Sequence, residues 1–138
     1  MPDERLTKGI CMKKAMVVDD SRAIRLILAR TLRDLGFEVS QAASGNEALA
    51  LLPTQGDRLS LLLVDWNMPG ISGLDFVRQV RCNPAMDSVV IVMVTTETEI
   101  EQMVTALDAG ANEYVMKPFT TEIIADKLRL LGLVEQLT

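Results

Sequence analysis

The sequence of 138 residues contains no histidine at all. This absence excludes a Ser-His-Asp triad, a Cys-His pair, a histidine general base and a histidine-ligated metal centre built from this chain alone. Aromatic residues make up only 4% of the chain, so its hydrophobic core must be mainly aliphatic. Any chemistry of the chain itself therefore has to rest on carboxylates, lysine, hydroxyl groups, thiols or a bound ion.

Cysteines and long apolar runs are also scarce. Cys11 and Cys82 are the two cysteines, and they form no CxxC motif, which is typical of reduced thiols in a cytosolic protein. No apolar run approaches the roughly 18 residues of a membrane span. Residues 1–12 are polar and lack the apolar core of a signal peptide. We predict a cytoplasmic protein with a loose N-terminal extension over 1–12 and one domain over 13–138.

The charge balance is acidic, with 14 Lys and Arg against 19 Asp and Glu, and a formal net charge of -5. Such a balance argues against non-specific binding to nucleic acid and against an anionic membrane surface. It suits a basic protein partner or a cation. We therefore expect neither DNA binding nor membrane insertion.

Short apolar runs alternate with helical periodicities along the chain. The runs that predict strands are 15–18, 37–41, 59–64, 89–94 and 114–116. Each run is followed by apolar residues at i, i+3, i+4 spacing, and Gly36, Pro53 and Gly110 are expected to end helices. Five βα units in succession predict an α/β fold, with a parallel sheet covered by helices on both faces.

Polar side chains follow four of these predicted strands. They are Asp19 with Asp20, Asp65, Thr95 and Lys117. The carboxyl ends of parallel strands meet at one edge of a sheet, where ligands of such folds bind. Singly, Asp65 is explained equally well as a turn residue, and the others are more often helix caps or, for Lys117, a solvated lysine. Together they favour a shared site, in which three carboxylates suit Mg²⁺ and an aspartate could accept a phosphoryl group.

Four motifs at these strand ends carry a resemblance to a known family. They are MVVDDS over 16–21, LLLVDWNMPGISG over 61–73, VMVTTE over 92–97 and AGANEYVMKPF over 109–119. In them the chain resembles the receiver domain of two-component response regulators, and most of all the stand-alone, chemotaxis-type (CheY-like) regulators. The resemblance covers nearly the whole chain and implies the flavodoxin-like doubly wound (βα)5 fold, with a five-stranded parallel sheet.

The resemblance implies an aspartyl phosphate formed with the help of a metal. Asp65 matches the phosphoacceptor. Asp19 and Asp20 match the acidic pair that holds Mg²⁺ (or Mn²⁺) together with Asp65. Asn67 matches the position that offers its backbone carbonyl to the same ion.

Further positions match residues that respond to the phosphoryl group. Thr95 matches the hydroxyl that hydrogen-bonds it, Lys117 matches the lysine that pairs with it, and Tyr114 matches the aromatic ring that turns inward afterwards. The Lys117-Pro118 peptide bond is expected to be cis, as is usual in the family.

Residues beside these positions are expected to modulate the site. They are Trp66, Asn67, Thr96 and Glu97. Thr96 departs from the small residue that is common at its position, and its bulk is expected to slow small phosphodonors or the hydrolytic water. Trp66 directly follows the acceptor, so its fluorescence should report binding of Mg²⁺ or of a phosphoryl analogue.

The resemblance implies a signalling switch rather than a turnover enzyme. Asp65 would accept a phosphoryl group from a histidine kinase or histidine phosphotransferase. The surface of the fourth helix, the last strand and the last helix would then change and bind a target protein, such as a flagellar motor switch. No effector segment follows the last helix, so output is expected through protein binding.

Three alternatives stay open at this point. A phosphorelay or phosphate-sink receiver would use the same site outside chemotaxis. An adaptor that is never phosphorylated would keep the fold alone. A haloacid-dehalogenase-type phosphatase would need a DxD nucleophile at its first strand and a cap region, whereas the chain has Asp19 and Asp20 there and a lone aspartate, Asp65, after its third strand.

Overall fold

The computed structural model describes residues 13–55, 59–96 and 100–135, so the predicted extension over 1–12 and Glu97 lie outside the described residues. In the described part of the chain, strands and helices alternate as the sequence predicts. Their bounds are β1 Lys14–Val18, α1 Arg22–Asp34, β2 Glu38–Ala42, α2 Gly45–Gln55, β3 Leu59–Val64, α3 Gly73–Arg81, β4 Val90–Thr95, α4 Ile100–Ala109, β5 Glu113–Met116 and α5 Thr121–Leu130.

The five strands form one parallel sheet in the order β2-β1-β3-β4-β5. The strand order reverses between β1 and β3, and this is the point at which open α/β sheets bind ligands beyond the strand ends. The predicted doubly wound α/β fold is therefore confirmed.

Helices cover both faces of the sheet, and each interface is mainly aliphatic. On one face α1 and α5 pack through Leu28, Leu32 and Leu128. On the other face α2, α3 and α4 pack through residues that include Ala48 and Phe76. Successive residues of β1 and β3 alternate between the two clusters and are almost all fully buried. Strands that are covered on both faces need the continuous apolar runs seen in the sequence.

Local sequence signals mark most helix ends. Side-chain oxygens at three N-caps accept a hydrogen bond from the main chain three residues on, namely Ser21 before α1, Ser72 before α3 and Thr120 before α5. Gly36 follows α1 with φ of 99°, and Gly110 follows α4 with φ of 120°. Residues with a Cβ rarely adopt this conformation, so both glycines end their helices as predicted.

The expected stop at Pro53 is wrong. Helix α2 continues to Gln55, and Pro53 lies inside its last turn. Proline has a φ that suits a helix, although inside one it removes a main-chain hydrogen bond and its ring crowds the carbonyl four residues before it. Because Pro53 lies so near the end of α2, only two further residues of the helix follow it. A 3-10 turn over Pro84–Met86, between α3 and β4, was also not predicted.

Arg81 at the end of α3 ties together the edge of the sheet opposite the strands' carboxyl ends. Its Nε donates to the Gly110 carbonyl at 2.9 Å, and its Nη1 donates to the Met86 carbonyl at 3.0 Å. Its Nη2 donates at 2.8 Å to both the Val89 carbonyl and Asn112 Oδ1. One guanidinium therefore satisfies four acceptors on two separate connections, α3–β4 and α4–β5.

We expect Arg81→Met to lower the free energy of unfolding by about 3 kcal/mol, because several partly buried acceptors lose a charged donor at once. Urea denaturation measures this loss. Arg78→Met is the matched control on the same helix, because Arg78 is exposed and, within the described part of the chain, forms one ion pair, with Asp75 at 3.3 Å. The control should lose less than about 1 kcal/mol. Equal losses in the two variants would contradict a special role for Arg81.

Candidate functional site

The structure brings the polar residues at the strand ends together, at the carboxyl edge of the sheet. Asp19 follows β1, Asp65 follows β3, Thr95 ends β4 and Lys117 follows β5. Main-chain hydrogen bonds continue past the strand ends and hold these residues in register: Asp19 N to Ala42 O at 3.1 Å, Asp65 N to Val18 O at 2.9 Å, and Lys117 N to Thr95 O at 2.8 Å. The sheet itself therefore sets the position of the site.

Three carboxylates converge at this edge. Asp19, Asp20 and Asp65 each offer one oxygen, and the three oxygens lie within 4.8 Å of one another. Asp19 and Asp65 are buried, with 1% and 7% of their surface exposed, whereas Asp20 is exposed. The acidic pair therefore has one inward residue, Asp19, and one residue at the mouth of the pocket, Asp20.

Lys117 lies between the two buried carboxylates. Its Nζ is 2.8 Å from Asp19 Oδ2 and 3.7 Å from Asp65 Oδ1. The second carboxylate oxygen of Asp19 accepts a hydrogen bond from the Ser21 amide at 2.8 Å. Asp19 is thus held at both oxygens, and it orients the lysine beside Asp65.

The pKa of the Asp65 carboxyl group is raised above its ordinary value. Burial is the largest cause, and the neighbouring negative charge of Asp19 adds to it. Three interactions lower this pKa without cancelling the rise. They are the charge of Lys117, a hydrogen bond from the Thr95 side chain and a main-chain hydrogen bond with Trp66. With three carboxylates beside Lys117, the pocket holds more negative charge than this lysine neutralises.

We expect Asp65→Asn to stabilise the metal-free protein at neutral pH, by about 1 kcal/mol. A carboxyl group with a raised folded-state pKa favours folding at low pH, and this contribution is lost as the pH rises through that pKa. The advantage of the variant should therefore shrink as the pH falls from neutral to about 4. Urea denaturation in EDTA at several pH values measures it, and an advantage that does not depend on pH would contradict the charge argument.

The pocket fits a hard divalent cation. Carboxylate oxygens are the ligands that Mg²⁺, Ca²⁺ and Mn²⁺ prefer, and a cation would offset the charge that raises the pKa of Asp65. Asn67, whose main-chain carbonyl was predicted as a ligand, lies exposed in the loop two residues after Asp65.

The other predicted residues lie around this pocket. Tyr114 is buried in β5 and lines a cavity shared with α4 and α5. Trp66 is half-buried against the core, and Thr96 is exposed directly after β4. The Lys117-Pro118 peptide bond is cis in the structure.

Two residues at the site were missed by the sequence analysis. Arg25 of α1 donates from Nη1 to the main-chain carbonyl of Asp19 at 2.8 Å. Gly73 packs so closely on Asp65 that a Cβ at this position would clash with its main-chain carbonyl group. Nothing in the sequence distinguishes Arg25 from the other arginines of its helix, while Gly73 entered the sequence analysis only as the last residue of the motif over 61–73.

A family model described as the response regulator receiver domain matches residues 15–129. The chain belongs to this family, and the predicted resemblance is confirmed. "Chemotaxis protein CheY1" of Helicobacter pylori is 42% identical over 119 residues, which cover 86% of this chain and 95% of that protein. "Chemotaxis protein CheY" of Pseudomonas aeruginosa is 39% identical over 116 residues, covering 83% and 92% respectively.

Experimental structures of similar proteins agree with the fold. Chemotaxis protein CheY4 of Vibrio cholerae matches with a TM-score of 0.81 at 38% identity, covering 87% of this chain and 98% of that one. Response regulator TrrA of Thermotoga maritima, in complex with Mg(2+)-BeF, matches with a TM-score of 0.75 at 32% identity, covering 87% and 99%.

Family membership defines the class of function. The chain is a receiver-type signalling switch of two-component systems, which accepts a phosphoryl group and acts between a histidine kinase and a downstream target. Among the helices of the described residues, none is long and apolar enough to span a membrane.

Proposed function

We propose that Asp65 is the phosphoacceptor and that Mg²⁺ is the metal of the site. Asp19, Asp20, Asp65 and the main-chain carbonyl of Asn67 would hold the ion. The observation that carries this proposal is the convergence of three carboxylate oxygens within 4.8 Å at the ends of β1 and β3. The Mg(2+)-BeF complex of the Thermotoga maritima regulator gives it further support.

The chemistry is a transfer of the phosphoryl group from a histidine of the partner to the aspartate. An oxygen of Asp65 attacks phosphorus, a P–O bond forms, and the N–P bond to the partner's histidine breaks. When bound, a divalent cation neutralises the carboxylates and shares the charge on the phosphoryl oxygens. Lys117, held by Asp19 and 3.7 Å from Asp65, would contribute a second positive charge beside the acceptor carboxylate.

The switch runs from the acceptor to an exposed surface. The Thr95 side chain is hydrogen-bonded to Asp65, so a phosphoryl group there changes its partner. Tyr114 lies on the neighbouring strand and would follow Thr95. We define the output face by its large exposed apolar residues on α4, β5 and α5, which are Ile100, Val104, Leu107, Met116, Ile123 and Leu130. Phosphorylation would shift the population of conformations of this face.

We further propose that the pathway is chemotaxis, because the curated relatives are named chemotaxis proteins and are nearly as long as this chain. The target of the output face would then be a flagellar motor switch protein. The protein would work as a switch in the cytoplasm without turning over a substrate.

Acetyl phosphate tests the phosphoacceptor chemistry without a partner. We expect intact-mass spectrometry to show one added phosphoryl group in Mg²⁺ and none in EDTA. Trp66 is the only tryptophan of the sequence, so its fluorescence should change when Mg²⁺ binds. Labelling that is indifferent to EDTA would contradict the metal site.

The output partner requires a separate experiment. Binding of a purified flagellar motor switch protein should be stronger when the chain is loaded with Mg²⁺ and beryllofluoride than when it is free. Output-face variants such as Ile123→Ser should lose this binding and keep phosphorylation. Equal binding by the loaded and free forms would exclude a phosphorylation-controlled interaction with that target.

A further inference from the structure

The main-chain amide, the main-chain carbonyl and both carboxylate oxygens of Asp19 all form hydrogen bonds in the structure. Its amide donates to the Ala42 carbonyl at 3.1 Å, and its two carboxylate oxygens accept from the Ser21 amide and from Lys117 Nζ, both at 2.8 Å. Its main-chain carbonyl is the remaining polar group, and it accepts from Arg25 Nη1 at 2.8 Å. Arg25 therefore acts on the peptide group that joins Asp19 to Asp20.

That peptide group decides where the two acidic side chains point. A peptide unit is planar, so a donor that fixes its carbonyl oxygen also fixes the direction from one Cα atom to the next. Asp19 has further anchors through its side chain. Asp20 is exposed, and its carboxylate direction depends on the plane of this peptide.

Arg25 differs from the other arginines of α1 in its environment. Arg22, Arg30 and Arg33 are exposed, whereas Arg25 is half-buried, and its hydrogen bond is made to a neutral carbonyl. Burying part of a guanidinium is costly unless it is hydrogen-bonded, and here the bond links the first turns of α1 to the acidic loop.

We propose that Arg25 is a positioning residue of the metal site, which holds the Asp19-Asp20 peptide so that the carboxylate of Asp20 meets those of Asp19 and Asp65. The inference rests on the proposed function, because it concerns the affinity of the same three carboxylates for Mg²⁺. The positive charge of Arg25 makes the inference testable, because loss of a positioning role and loss of charge change the Mg²⁺ affinity in opposite directions. A positive group near the pocket repels a cation, so removing the charge alone would tighten Mg²⁺ binding.

The test is calorimetric titration of the metal-free protein with MgCl₂. Arg25→Gln should bind Mg²⁺ about 10-fold more weakly than the wild type, as is typical when a group that orients metal ligands is removed. The matched control is Arg22→Gln, which removes the same charge from an exposed position on the same turn of the helix. It should bind unchanged or slightly more tightly. Binding by Arg25→Gln that equals or exceeds that of the wild type would overturn the inference.

A second readout needs no metal. In NMR spectra of the metal-free protein, the Asp20 amide belongs to the peptide that Arg25 holds. Its resonance should shift in Arg25→Gln and stay in place in Arg22→Gln, and an unshifted resonance in Arg25→Gln would also overturn the inference. If Arg25→Gln does not fold, Arg25→Met replaces it, because methionine keeps the aliphatic part of the side chain. This variant should also bind Mg²⁺ more weakly and shift the Asp20 amide resonance, and failure of either result would overturn the inference.

The two proposals fail in different ways. A wild-type protein that does not bind Mg²⁺ overturns the proposed metal site and this inference with it. A wild-type protein that binds Mg²⁺, beside an Arg25→Gln variant that binds equally well, overturns the role of Arg25 alone.

Discussion

Asp65→Asn is expected to reduce phosphorylation by acetyl phosphate by about a thousandfold or more, to background. The amide keeps the shape of the carboxylate but loses the anionic oxygen that attacks phosphorus. The loss should not come from unfolding, because burial and Asp19 already disfavour the charge at this position. Intact-mass spectrometry measures the labelling, and thermal unfolding checks the fold in the same sample.

Asp75→Asn is the matched control for this experiment. Asp75 lies exposed on α3, ten residues beyond the acceptor, and pairs only with Arg78 among the ion pairs of the described residues. The control should be labelled as fast as the wild type. Labelling of Asp65→Asn at the wild-type rate would place the acceptor elsewhere and remove the basis of the proposed mechanism.

The position of the site could be predicted from the sequence because it depends on the sheet. Asp65 and Lys117 each follow an apolar run that predicts a strand, and this position alone made them candidates for the site. Strands that are buried on both faces leave few registers open, so their ends meet at one edge. Main-chain hydrogen bonds from Asp65 to Val18 and from Lys117 to Thr95 extend that register to the residues of the site.

Contacts between distant segments could not be predicted in this way. Arg81 has the same local pattern as any arginine in the last turn of a helix, and only the folded chain brings Gly110 and Val89 to it. The hydrogen bond from Arg25 to the Asp19 main-chain carbonyl spans only six residues, but it too depends on how α1 and β1 meet in the folded chain. Pro53 shows the converse error, because α2 continues two residues beyond this local stop signal.

The absence of histidine from the sequence is consistent with the chemistry of the site. Phosphoryl transfer from phosphohistidine needs one imidazole and one carboxylate, and this chain supplies three carboxylates and no imidazole. The histidine of such a donor therefore lies outside this sequence. In the same way, part of the acidic excess is concentrated in one pocket, where it serves the proposed Mg²⁺ site.

Gly73→Ala should be the most disruptive single-methyl change near the site. The added Cβ would clash with the main-chain oxygen of Asp65, and it would lie 2.8 Å from its carbonyl carbon and 2.9 Å from Trp66 Cα. These atoms are all main chain, so no side chain can rotate away to make room. The backbone of Asp65 and Trp66 would have to move, together with the bond from the Gly73 amide to the Trp66 carbonyl at 2.8 Å.

We expect this shift to cost about 3 kcal/mol of unfolding free energy, since overpacking here strains the backbone. Phosphorylation should fall by about 10-fold or more, because a displacement of the nucleophile spoils its alignment. Gly132→Ala is the control: its φ of 78° strains any residue with a Cβ, but nothing lies within 4 Å of the new methyl group. It should cost about 1 kcal/mol and leave phosphorylation unchanged. Normal phosphorylation in a destabilised Gly73→Ala protein would show that the acceptor's alignment does not depend on this contact.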